Sequence, residues 1–169
     1  MVDIAETFPW VRVEATMATT SRMIRAAFDG ALAPLDLNLT SASLLAYVAD
    51  FGPVSQTALA EKLGVGRAAA GAVVDRLEAR QLIERVADEH DRRVWLITIT
   101  SSGRRLAGQV AVVDEEVREQ IRSGISRLER QQLAALLVRI QKNLGNGGLE
   151  VGHQEVSSNS SNVNNGARK

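Results

Sequence analysis

"SQTALAEKLGVGRAAAGAVVDRLEARQLIER", residues 55–85, decides how the chain folds. Ser55 can cap a helix that runs through "QTALAEKL" and ends at Gly64. A second helix spans about Gly66 to Arg80. Only "GV" joins the two, so they cannot lie antiparallel and must cross at a steep angle. Gly64 supplies the left-handed turn conformation that other residues resist. Ala60 is small where the helices approach most closely, and Val65 plugs the angle between them. A small residue, a glycine four later and then an apolar residue form the helix-turn-helix pattern. The second helix of such a pair can lie in a DNA major groove. Helix pairs with a glycine turn also occur in structural proteins, so the pair alone leaves both readings open.

Working outward, "QLIERVA" and "VWLITIT" read as two strands rich in branched residues. They flank the charged tip "DEHDRR", residues 88–93. A hairpin directly after a helix-turn-helix makes a winged helix, and the tip of such a wing reaches a minor groove. A narrow minor groove has a strong negative potential that attracts inserted arginines. Arg92 and Arg93 supply planar donors, and Asp91, two residues from Arg93, can hold its guanidinium in place. The bland alternative is a solvated turn whose charges keep it soluble.

Upstream, Trp10, Val13, Met17, Ser21, Ile24 and Phe28 recur at helical spacing over residues 10–33, and Pro34 stops the pattern. Thr40 is the expected N-cap of a helix through Phe51. Downstream, a long helix runs from Ser101 to about Ser123, with Leu106, Val110, Val113, Val117 and Ile121 as its stripe. Ser126-x-x-Glu129 is a capping box that starts a final helix burying Leu133, Leu136, Leu137, Ile140 and Leu144. These elements give one domain over residues 8–144, with the winged helix-turn-helix at 40–100. Residues 145–169 are rich in Gly, Ser and Asn and bury too little surface to offset their ordering entropy, so a disordered tail is expected.

Composition narrows the function. Apolar residues make up 45% and charged residues 24%, ordinary values for a globular chain. The absence of cysteine excludes disulfides, zinc-thiolate sites and thiol redox sensing. Only His90 and His153 occur, so a metal-sensing cluster is not expected. No Gly-rich phosphate loop or histidine base supports an enzyme. No run approaches 18 apolar residues, and "MVDIAETFPW" lacks signal-peptide features, which leaves the cytoplasm as the expectation. The net charge is zero, but residues 54–105 carry nine basic and seven acidic side chains, against three and six in residues 1–53. A balanced total suits DNA binding if the basic groups share a face.

The run "SQTALAEKLGV…VVDRLEARQLIERVADEHDRRVWLITITSSGRRL" resembles the MarR family of transcriptional regulators over about residues 10–144. Its hallmarks are "VDRLEARQLIER", the wing "DEHDRR" and a return strand closing in "LITIT" with a glycine three residues on. The resemblance implies a mainly α fold with a small β-hairpin wing, in a six-helix winged helix-turn-helix architecture. It also implies a homodimer built on residues 8–38 and 101–144, and a repressor released by a small effector. A two-fold dimer calls for a palindromic operator with half-sites roughly 10–10.5 bp apart. The recognition helix departs from many relatives. Gly66, Ala68 and Ala69 offer no side-chain hydrogen bonds, and Arg67 is the only long polar donor in that half. Alanines can contact thymine methyls, so specificity is expected to lean on the wing and on DNA shape.

Ser55, Gln56 and Thr57 can hold phosphates or simply cap their helix. Arg76 and Arg80 suit phosphate contacts or intramolecular ion pairs equally. An organic effector is expected beneath the first helix, against Met17, Ser21, Ile24 and Phe28, with Leu44 and Val48 opposite. Arg22 or Arg25 would neutralise an aromatic carboxylate or an acyl-CoA phosphate. The same residues also suit ordinary core and surface. Two other readings stand beside this one: a winged helix used for protein–protein contact without DNA, and an activator within the same family.

Overall fold

The computed structural model describes Trp10, residues 12–88 and residues 94–146. The wing tip and the expected tail beyond residue 146 lie outside these residues. The core forms around α2 (Leu39–Phe51), whose Leu44, Leu45 and Val48 are almost wholly buried. Asn38, not Thr40, caps this helix. Its side-chain oxygen accepts from Ser41 N at 2.9 Å, and Asp29 Oδ1 accepts from Leu39 N at 2.7 Å. The helix therefore starts two residues earlier than the threonine signal suggested, because two upstream oxygens already serve its free N–H groups.

Before α2 come α1 (Val13–Leu32) and a 3₁₀ turn, Ala33–Leu35. Trp10 precedes α1 and is 72% exposed. After α2 come β1 (Val54–Ser55), α3 (Gln56–Leu63), α4 (Arg67–Ala79), β2 (Ile83–Ala87) and β3 (Trp95–Ile99). The chain continues into α5 (Ser101–Arg122) and α6 (Arg127–Asn146). No single helix among the described residues is long and apolar enough to cross a membrane.

The sheet has three antiparallel strands in the order β1-β3-β2. Ile83 pairs with Ile99 and Ala87 with Trp95, as the hairpin reading requires. The third strand is new: Val54 and Ser55 pair with Ile97 and Leu96. Two residues are too few to show an alternating pattern, so only the tertiary pairing reveals this strand. Leu59, Val74, Leu77, Ile83 and Ile97 join the α2 residues in one apolar cluster.

The described residues fall into two units, divided after Gly124. Gly124 has φ +73° and ends the long helix where expected. Helix α6 lies in the second unit. The capping box forms: Ser126 N donates to Glu129 Oε2 at 2.8 Å, and Glu129 N donates to Ser126 Oγ at 3.3 Å. The hydroxyl of Ser126 also donates to this carboxylate and, with the backbone bond, holds its pKa below the ordinary glutamate value. The expected burial of α6 is not met within one chain, since Leu133, Leu136 and Leu144 are 51, 52 and 68% exposed.

Candidate DNA interface and effector cleft

The helix-turn-helix forms as its residues require. Gly64 sits at φ +61°, ψ 32°, and Val65 N donates to Ala60 O at 3.1 Å. Ala60 and Leu59 are buried under the crossing. α4 divides cleanly into two faces. Ala70, Val73, Val74 and Leu77 face the core, while Arg67, Ala68, Ala69, Ala72 and Arg76 are exposed. Among the described residues, the guanidinium groups of Arg67 and Arg76 have no hydrogen bond or ion pair.

The remaining cations near α4 are committed. Arg80 donates to Asp36 O at 2.6 Å and to Leu35 O at 3.1 Å, with the Asp36 carboxylate at 3.6 Å. This settles its alternatives in favour of intramolecular contact. Arg85 of β2 bonds Asp75 at 2.5 Å and also Glu78, both on α4. The hydrogen bond to Asp75 raises the Arg85 pKa, against the opposing effect of burial. These pairs join the wing strand to the recognition helix and neutralise that helix's acids.

Ser55 uses its hydroxyl as a cap, accepting from Ala58 N at 3.2 Å. Gln56 lies across the neighbouring helix: a Cβ added to Gly71 would stand 2.9 Å from Gln56 Nε2. Thr57 is exposed. Side-chain acceptors cap α2 at Asn38, α3 at Ser55 and α5 at Thr100, whereas Gly66 gives α4 none. Asp91, Arg92 and Arg93 lie outside the described residues.

A cleft of 560 Å³ opens between α1, α2 and α5. Phe28 and Leu32 of α1 close its apolar end. Ala42, Ser43, Ala46, Ala49 and Asp50 line one wall, and Arg104, Ala107, Gly108, Ala111, Asp114 and Arg118 the other. Of the eight effector residues expected from sequence, only Phe28 lines this cleft. Leu44 and Val48 point into the core instead. Met17 and Ile24 are half-buried, Ser21, Arg22 and Arg25 are exposed, and Arg22 bonds Thr19 Oγ1 at 2.9 Å. The missed residues had a signal: alanines at helical spacing on α2, and a glycine inside α5. No group of three metal-ligating side chains occurs among the described residues.

Residues 35–94, from the turn after α1 to the start of β3, match the family model for MarR. Over these residues the chain is similar to the MarR family. A probable transcriptional regulator from Pseudomonas aeruginosa is 26% identical, with 76% of this chain and 96% of that one covered at a TM-score of 0.70. CouR from Rhodococcus jostii RHA1, solved bound to p-coumaroyl-CoA, is 28% identical, with coverage of 76% and 90% and a TM-score of 0.67. MepR from S. aureus, solved in complex with DNA, is 22% identical, with coverage of 77% and 96% and a TM-score of 0.72, a likeness of fold.

MarR-family proteins are transcriptional regulators, not enzymes. The MarR winged helix accounts for the order of elements from α2 to β3. The open face of α4 carries a run of alanines and two arginines that are unpaired among the described residues.

Proposed function

We propose that the chain is a homodimeric repressor that binds a palindromic operator in the cytoplasm and is released by a small organic ligand. The observation that carries this reading is the exposed face of α4, with Arg67 and Arg76 uncommitted, beside the β2–β3 wing. α4 enters the major groove, where Ala68 and Ala69 meet thymine methyls and Arg67 reads guanine or grips phosphate. Arg92 and Arg93, positioned by Asp91, enter the minor groove. Thr57 and the first turn of α3 lie against phosphates.

Residues 8–38 and 101–144 form the dimer. The half-exposed leucines of α6 support this, because large apolar groups left in water favour burial against a second copy. The likeness to CouR supports an organic ligand.

The test is fluorescence anisotropy against a labelled fragment of the gene's own upstream DNA, beside a scrambled fragment, over several salt concentrations. Specific binding that weakens linearly in log salt is expected. Arg93→Ala costs about 1–3 kcal/mol of binding and relaxes the sequence preference. Full affinity and preference in that variant would remove the wing from the reading. No binding even at low salt would replace DNA by a protein partner.

A further inference from the structure

Arg80 closes α4, and its side chain reaches back to the turn between α1 and α2. Nη1 donates to Asp36 O at 2.6 Å and Nη2 donates to Leu35 O at 3.1 Å. The Asp36 side chain is 92% exposed, so its carboxylate, at 3.6 Å, adds little in water. The tie is therefore a charged planar fork on two backbone carbonyls. They stand at the end of a 3₁₀ turn, where carbonyls lack partners within the helix.

The turn is in its own right fixed to α1. Asp36 N donates to Ala33 O at 2.9 Å and Leu37 N to Leu32 O at 3.3 Å. Leu32 and Leu37 are buried on either side, and Asp29 of α1 accepts from Leu39 N at 2.7 Å. Asp36, at φ 53°, and Gln81, at φ 57°, are the two non-glycine residues in the left-handed region among the described residues. Arg80 grips the carbonyl of the first and precedes the second. Such conformations persist where the surroundings over-determine them, and they gather at binding and switch sites. The start of α4 has no side-chain cap. Its end is held from two sides, by Arg80 on the turn and by Thr100 Oγ1, which donates to Gln81 O at 2.7 Å.

We infer that Arg80 is a positioning residue: it fixes the direction of α4 relative to α1, and through it the separation of the two recognition helices in a dimer. The inference rests on the homodimer proposed above, and on the DNA reading only for its operator consequence. One base pair shifts a half-site by about 3.4 Å and turns it by roughly 35°. A rigid pair of recognition helices rejects that change, whereas a loosened pair follows it.

The first test needs no DNA. The chain has no cysteine, so Ala72→Cys on the exposed face of α4 carries one spin label per protomer, and double electron–electron resonance reads the distance between the two. With Arg80 in place the distribution is single and narrow. Arg80→Met loses both bonds and widens it at least about twofold. Arg80→Lys keeps the charge but not the fork, so it widens the distribution partway and carries the test if the methionine variant does not fold. Asp36→Asn leaves both carbonyls in place and keeps the narrow width. Circular dichroism checks each variant for intact helix.

The second test uses the duplex that the protein protects within its upstream fragment, with 1 bp inserted at or removed from the centre. Arg80 protein loses at least about tenfold in affinity on either altered duplex, and Arg80→Met less than about threefold. A residue that only stabilised the fold would lower Tm and leave both the width and the spacing penalty unchanged.

A narrow width in either folded Arg80 variant would overturn the inference. So would widening by Asp36→Asn equal to that of Arg80→Met, equal spacing penalties with and without Arg80, or the absence of any inter-label distance, which would also remove the homodimer. If the Arg80 protein binds no DNA, the operator reading fails alone, and the label distances still decide the role of Arg80.

Discussion

The two turns that bracket α4 use the same hydrogen bonds with different residues. After α3, Val65 N donates to Ala60 O and Gly64 N to Glu61 O. After α4, Leu82 N donates to Leu77 O and Gln81 N to Glu78 O. Both are Schellman closures, with one residue in the left-handed region. In the first that residue is Gly64 at φ +61°, in the second Gln81 at φ +57°.

The glycine adopts this conformation at no steric cost, so the first turn is local in origin. The glutamine resists it, so the second turn is imposed by its surroundings. Thr100 Oγ1 donates to Gln81 O at 2.7 Å, and Thr100 N donates to Leu82 O at 3.1 Å. Gly103 lets α5 come close, because a Cβ there would overlap the Leu82 carbonyl oxygen and stand 2.9 Å from Ile99 Cγ1. One end of α4 is set by a single residue and the other by a contact nearly twenty residues away.

The largest test of this contrast is Gly103→Ala, which pushes α5 off the Leu82 carbonyl. A loss of about 3 kcal/mol is expected, roughly 6–12 °C in Tm, read by thermal denaturation. Thr100→Val removes the tie to Gln81 together with the cap of α5, where Gly103 N donates to Thr100 Oγ1 at 3.0 Å. It costs about 1–2 kcal/mol in urea unfolding with an unchanged m-value. Gly64→Ala disturbs only the local turn and costs about 1 kcal/mol. Gln81→Gly gives the second turn the residue of the first and raises stability by about 0.5–1 kcal/mol. If Gln81→Gly destabilised the protein, the glutamine side chain would be contributing more than its backbone strain takes away, and the contrast would fail.

The same contrast explains what could be read in advance. The helix-turn-helix, the hairpin, the caps at Ser55 and Ser126 and the break at Gly124 are local signals carried by residue type. β1 was hidden because a two-residue strand has no period of its own. The cap of α2 was misplaced because Asn38 and Thr40 carry the same preference and only Asp29, ten residues before Leu39, favours the earlier start. Burial of α6 was read from its leucine stripe, but a stripe shows that a face is apolar and not which chain covers it.

The cleft was legible only in part: Phe28 lines it, whereas Leu44 and Val48 lie in the core. Apolar periodicity marks the face that packs, whereas a cleft is lined by residues chosen for smallness, such as Ala42, Ala46 and Gly108. The commitments of Arg80 and Arg85 depend on partners distant in sequence or fold and carry no spacing signal at all.

The uncapped start of α4 has a consequence for its amide protons. The first N–H groups of any helix lack acceptors within the helix, and Gly66 supplies no side chain to serve them. The amides of Arg67, Ala68 and Ala69 therefore exchange with solvent deuterium quickly in the free protein. Protection begins at Ala70, whose N–H is bonded to Gly66 O at 2.9 Å. A phosphate seated over that first turn slows those three amides, so their exchange rates report docking from the protein's side.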